Sequence, residues 1–283
     1  MIENYVGSVQ PWECDRMGHM NVQFYVQRAV DGLASLSLAL GLGPRCSRDA
    51  GLRIVPLEHH IRFLKELRPG APFRLLGGVL GIAGERIRFY QELRNTATDV
   101  AAASFITEAA LLDEQSRAPR PLPAALRARA AELTIALPSH GAPKSLALQA
   151  PRAAPTLAEA EQAGLILAYQ GPVAAADCDA FGWMQVRSYM ARLSEAIPNL
   201  VARTRGVDRS GDGKIGGAAL EYRFVYRKTP RQGDLLVLRS GLKAVAAKTV
   251  TYVHWLFDLE TGEALGTAEA VAVTLDLVAR KAI

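Results

Sequence analysis

The chain has 283 residues, about twice the commonest single-domain length, so it is either one large domain or two of ordinary size with a sizeable core. Its 49% hydrophobic and 22% charged residues and mean hydropathy of +0.07 exclude a disordered or collagen-like chain, and no apolar run reaches the roughly 18–20 residues of a membrane span. The net charge of +5 comes from Lys and Arg scattered among acids, so no nucleic-acid partner is expected, and three cysteines (Cys14, Cys46, Cys178) with no C-x-x-C pair exclude a disulfide framework and a zinc knuckle.

Cysteine usage points to a reducing compartment, the cytoplasm, and Met1-Ile2-Glu3-Asn4 lacks the basic and apolar segments of a secretory signal. A short strand or loop leads to the acidic stretch Glu13-Cys-Asp15-Arg-Met-Gly18-His19-Met-Asn21-Val22-Gln-Phe-Tyr25. Helical spacing follows: Val22, Tyr25, Val26, Ala29, Val30, Leu33, Leu36 and Leu40 share one face before Gly41-Leu-Gly-Pro44 stops it. Further on, Ile87, Phe89, Gln91 and Leu93 alternate with Arg86, Arg88, Tyr90 and Glu92, the period of a strand.

Pro119 to Pro123 leads into a helix expected over Ala124–Leu133, Pro138 to Pro143 reads as a loop, and Thr156-Leu-Ala-Glu159 is a capping box opening a short helix that Gly164 ends. A second acidic stretch, Asp177-Cys-Asp179-Ala-Phe-Gly182-Trp183-Met-Gln185-Val186-Arg-Ser-Tyr189, precedes a second helical pattern in which Pro198 is expected to kink or end the helix. Asp208 to Ile215 imitates the start of a calcium loop but has Ala219 where a bidentate Glu is required, so a glycine-rich turn is expected there. A second strand pattern runs from Thr249 to Phe257.

The two halves repeat. At an offset of 164 residues, Cys14, Asp15, Gly18, Met20, Val22, Tyr25 and Arg28 fall on Cys178, Asp179, Gly182, Met184, Val186, Tyr189 and Arg192. At 163, Glu58, Lys65 and Gly70 fall on Glu221, Lys228 and Gly233, with Phe63 opposite Tyr226. The expected organisation is therefore a first copy over 1–135, a connector with a short helix over 136–164 and a second copy over 165–283, each an α+β domain with one long helix and several antiparallel strands.

The acidic motif, the order of helix and strands, and the Glu58…Phe63…Gly70 and Glu221…Tyr226…Gly233 segments resemble the hotdog-fold acyl-CoA thioesterases of the 4-hydroxybenzoyl-CoA thioesterase type. The resemblance covers nearly the whole chain outside the connector, twice. It implies tandem hotdog domains, each a long central helix wrapped by a curved antiparallel sheet. By the same resemblance the two sheets join edge to edge and form two pseudo-equivalent pockets. An acyl-CoA substrate is implied, with no metal and no redox cofactor, and there is room for a homodimer of such double units.

Asp15 and Asp179 then become the expected catalytic acids, each attacking the thioester carbonyl directly or deprotonating a water. The helix amides that follow, at Val22 and Val186, would face the carbonyl oxygen. Gly18 and Gly182 would let the acyl group approach, or supply a positive φ. His19, Asn21 and Tyr25 complete the expected substrate-binding set. Each residue also has a structural use: an acid before a helix as its cap, Val22 and Val186 as core, Tyr25 and Tyr189 as buried rings with one hydroxyl bond, His19 as a surface or capping residue.

The copies differ. Glu13 stands where the family has its first aspartate, while the second copy has Asp177 but Trp183 and Gln185 where the first has His19 and Asn21, which favours Asp15 over Asp179 as the working acid. Cys14 and Cys178 are flanked by acids that suppress thiolate formation. Arg62, Lys65 and Arg68, or Arg227, Lys228 and Arg231, suit either the phosphates of coenzyme A or solvated strand ends. No Gly-x-Ser-x-Gly elbow is present, and His59-His60 on a strand cannot aim both rings at one metal. The alternative to a hydrolase is a non-catalytic acyl-CoA-binding or scaffolding protein with the same fold.

Overall fold

The computed structural model describes residues 1–204, 215–276, 278–279 and 281–282. It comprises two compact units, Met1–Pro143 and Lys144–Ile283, so residues 136–143 of the expected connector go with the first and 144–164 with the second. The glycine-rich turn expected at Asp208 lies outside the described residues.

The first unit opens with strand β1 (Ile2–Ser8), a 3₁₀ turn (Pro11–Glu13), helix α1 (Val22–Ala39) and the short helix α2 (Pro44–Ala50). Strands β2 (Leu52–Phe63), β3 (Pro72–Ala83), β4 (Arg86–Asn95) and β5 (Ala101–Asp113) follow, then helix α3 (Ala124–Glu132). The strands pair antiparallel in the order β1-β3-β4-β5-β2.

Helix α1 forms where the apolar spacing places it. Tyr25, Val26, Ala29, Leu33 and Leu36 are buried along one side, and Leu33, Leu36 and Leu40 pack into a core with Val79, Ile87, Phe89, Ala109 and Leu111 of the sheet and Leu122, Leu126 and Ala130 from the α3 segment. Burial of each such leucine stabilises the unit by roughly 2 kcal/mol.

The strand alternation of β4 holds for Ile87, Phe89 and Leu93, but Tyr90 and Glu92 on the opposite face are buried too. The cause is a 3₁₀ turn over Ser139–Gly141 laid across them. The Glu92 carboxylate accepts from Tyr90 Oη (2.9 Å) and Arg94 (2.7 Å) and lies 2.7 Å from His140 Nε2, while Arg62 donates to the carbonyls of His140 and Ala142 at 2.6 and 3.1 Å. Gly141 is required here, because a Cβ would collide with the Tyr90 ring. His59 sits opposite Thr107 and His60 opposite Ile106, on alternate faces of β2 as a strand demands.

The second unit contains helix α4 (Leu157–Gln162), strand β6 (Ile166–Pro172), a 3₁₀ turn (Ala175–Asp177), helix α5 (Val186–Thr204) and strands β7 (Ile215–Tyr226), β8 (Leu235–Val245), β9 (Val250–Asp258), β10 (Ala264–Asp276) and β11 (Lys281–Ala282). Its strands pair antiparallel in the order β7-β10-β9-β8-β6, with β11 on β10. The capping box of Thr156 and Glu159 is formed, with both reciprocal bonds present, and Gly164 follows with φ +71°.

Pro198 does not end α5 early. The helix continues to Thr204, because Leu193, Ala196 and Leu200 are buried on either side of the proline and outweigh its missing N–H. Glu221 of β7 is buried and accepts from the amides of Lys144, Ser145 and Leu146 at 3.0, 2.7 and 3.4 Å, tying down the start of this unit. Among the described residues no helix is long and apolar enough to cross a membrane.

Candidate active site

Each acidic motif folds into the same tight turn ahead of the long helix. In the first unit the Asp15 amide donates to the His19 carbonyl (3.0 Å), the Gly18 amide donates to the Asp15 carbonyl (2.9 Å), and Cys14 bridges to Met20. In the second, Asp179 N–H donates to Trp183 (2.8 Å), Gly182 N–H to Asp179 (3.0 Å), and Cys178 bridges to Met184. Gly18 and Gly182 take φ of +74° and +77°, the left-handed conformation the turn requires. Their expected role as sources of positive φ is the one the backbone displays.

The helix cap is not the acid. Asn21 Oδ1 accepts from Gln23 N–H (3.0 Å), so Asn21 is the N-cap of α1, and Asp15 spends Oδ1 on the Met17 amide (2.8 Å) inside the turn. Val22 is the first residue of α1 and Val186 the first of α5, positions whose N–H groups have no carbonyl partner within their helix and can receive an anionic oxygen. Tyr25 is buried edge-on against Phe63, and its hydroxyl accepts from Leu67 N–H (3.3 Å). Burial keeps this phenol protonated far above neutrality, so it holds the segment after β2 against α1. Tyr189 acts alike, donating to the Lys228 carbonyl at 2.7 Å.

Around the turn the two units diverge. His19 stands between two carboxylates, with Nδ1 3.6 Å from Asp15 Oδ1 and Nε2 3.8 Å from Glu66 Oε1, and its side chain keeps 20% exposure. Glu66 carries no motif of its own. It arrives because Met20 N–H donates to the Leu67 carbonyl (2.8 Å), stitching the segment after β2 to the turn. In the second unit Asp179 Oδ1 accepts from both Phe181 and Trp183 amides (each 3.0 Å). Arg231 lies over the Trp183 indole, 4.3 Å from the ring centroid, and donates to the Phe181 carbonyl at 3.3 Å.

Four of the six basic residues considered for phosphate contact are engaged elsewhere. Arg62 holds the Ser139–Gly141 turn, Arg227 donates to the Arg152 carbonyl, Lys228 pairs with Glu263, and Arg231 covers Trp183. Lys65 and Arg68 are exposed on the segment stitched to the first turn. Burial first, then the neighbouring carboxylates, raises the thiols of Cys14 and Cys178, so neither is a ready nucleophile.

A long helix laid against a curved antiparallel sheet, twice in one chain and each time preceded by an acidic turn, defines a tandem hotdog protein. The sequence signature of the thioesterase-like superfamily matches residues 9–130 and again 173–283, and the chain belongs to that family. Among solved structures the chain is similar to a putative oleoyl thioesterase from Lactobacillus plantarum, with TM-score 0.72 and 15% identity over 96% of this chain and 95% of that one. It is likewise similar to a 12:0-ACP thioesterase from Umbellularia californica (0.72, 12%, 95% and 93%) and an acyl-ACP thioesterase from Bacteroides thetaiotaomicron (0.69, 11%, 95% and 96%). No curated protein sequence matches. At these identities the structures establish the fold, and the family supports acyl thioester hydrolysis.

Proposed function

We propose that the chain hydrolyses an acyl-CoA thioester to free acid and coenzyme A at the Asp15 turn of the first unit. Asp15 serves as nucleophile or general base, and the amides heading α1, Val22 first, stabilise the negative charge that develops on the carbonyl oxygen. His19 orients the attacking water or the thioester, and Glu66 restrains the imidazole from its far side. The carrying observation is the difference between the turns: His19 is held between Asp15 and Glu66 at 3.6 and 3.8 Å, whereas in the second unit Arg231 stacks on Trp183 and the Asp179 carboxylate accepts from two turn amides. Lys65 and Arg68 beside the first turn supply cations for the phosphates of coenzyme A. The second unit keeps the architecture without the histidine, as a partner domain rather than a second reaction centre.

The test is thiol release from a panel of acyl-CoA thioesters of graded chain length, run beside the same acyl groups on an acyl carrier protein. Release from the CoA series supports the proposal. Release from the carrier protein alone would replace coenzyme A as the thiol carrier, and no release from either series would leave a binding or scaffolding protein.

A further inference from the structure

Glu13, the residue that departs from the family's aspartate, does not face the Asp15 turn as a second acid. It is 2% exposed, and its carboxylate accepts from the Gln10 amide (2.9 Å) and from the Arg28 guanidinium, while its own carbonyl accepts from Asn21 N–H (2.8 Å). Arg28 projects from the second turn of α1, donates to Asp31 (3.0 Å) and lies 5.4 Å from the centroid of the Tyr5 ring on β1. One ion pair therefore ties three things together: the strand that opens the unit, the turn that carries Asp15, and the helix whose first amides lie beyond it.

The second unit repeats this assembly residue for residue. Arg192 lies 5.3 Å from the Tyr169 ring centroid and donates to its hydroxyl at 3.1 Å, stands 3.5 Å from Glu195, and reaches Asp177, whose carbonyl accepts from Gln185 N–H at 2.8 Å. Here the acid, one methylene shorter, stays 3.8 Å from the guanidinium, whereas Glu13 makes direct contact. The tighter clamp is in the unit that has His19 and Glu66.

We propose that Glu13 and Arg28 are positioning residues for hydrolysis, fixing the distance between the Asp15 carboxylate and the amides of α1; this rests on Asp15 being the reacting acid. A turn released from the helix loses the alignment of nucleophile and oxyanion donors, and misplacement by about 1 Å costs on the order of 100-fold in rate.

The experiment is steady-state hydrolysis by the full chain, with folding followed by circular dichroism. Glu13→Gln is expected to lower kcat about 10- to 100-fold with KM changed less than about threefold, and Glu13→Asp, which copies the second unit, to restore at least about a third of the wild-type kcat. A folded Glu13→Gln with wild-type kcat overturns the proposal, as does a Glu13→Asp no better than Glu13→Gln. Should Glu13→Gln fail to fold, Arg28→Lys keeps the charge but loses the fork, and it is expected to lower kcat about tenfold; unchanged kcat there also overturns the proposal. Asp15→Asn, run alongside, separates the two claims. If it retains wild-type rate the assignment of Asp15 fails, whereas if it is inactive while the clamp variants are unaffected only the positioning role fails.

Discussion

Acidification from pH 7 to 5 should destabilise both units, the first through buried His59 and the second through buried His254. His59 in β2 and His254 in β9 are each 1% exposed, and burial lowers both pKa values to about 3 from 6.5. Inside the sheet, His254 Nδ1 shares a hydrogen bond with Ser240 Oγ at 2.8 Å. In the unfolded chain each imidazole takes up a proton below pH 6.5, and in the folded chain it does not until about pH 3. Because the folded pKa lies below the unfolded one, the full contribution is present above pH 6.5 and is lost as the pH falls toward 3. At pH 5 the loss is about 2 kcal/mol per histidine. With a urea dependence of about 2 kcal/mol per molar, that moves each unit's midpoint down by about 1 M. The window lies above the range in which Glu92, Asp99, Glu108 and Asp113 titrate, since their ion pairs and hydrogen bonds hold them below ordinary carboxylate values. Urea unfolding at pH 7, 6 and 5 measures the effect, and His59→Gln and His254→Gln should each flatten the pH dependence of their own unit. A midpoint that stays constant from pH 7 to 5 would refute the reasoning.

Tyr25→Phe removes the acceptor of Leu67 N–H and should cost about 1 kcal/mol of stability in denaturant melts while leaving kcat within about threefold; a kcat loss of about 100-fold would make the hydroxyl a catalytic acid instead. Glu92→Gln weakens the buried bonds to Arg94, Tyr90 and His140 and should lower the first unit's stability by about 2–3 kcal/mol, with faster proteolysis around Ser139–Gly141; unchanged melts and cleavage would show that the Ser139–Gly141 turn is held by other contacts.

The duplication was legible because a near-constant spacing of acids, glycines and aromatics survives where overall similarity does not, and α1 and β4 were legible because their apolar periods match their elements. Other features depend on contacts that periodicity does not carry. Pro198 is accommodated because Ala196 and Leu200 are buried beside it, and Tyr90 and Glu92 are inside because a distant turn covers them. Glu66 joins the site through one backbone bond from Met20 to Leu67, with no signal in its own neighbourhood. Tyr5 and Tyr169, by contrast, stand at the same 164-residue offset as Cys14 and Cys178, so comparing the repeats over the opening strands would have exposed both stacking rings. Asn21, expected against the substrate, is also the helix cap, a role that shows in its hydrogen bond to Gln23 and not in the residue type alone.

The most direct test is thiol release from acyl-CoA by the wild type, Asp15→Asn, Asp179→Asn and the double variant under identical conditions. Loss of a positioned general base costs about 10²–10⁴ in rate. Asp15→Asn should fall by that factor, Asp179→Asn should remain within about threefold of wild type, and the double variant should match Asp15→Asn. Hydrolysis that survives Asp15→Asn and disappears with Asp179→Asn would contradict the assignment of the reaction to the first unit.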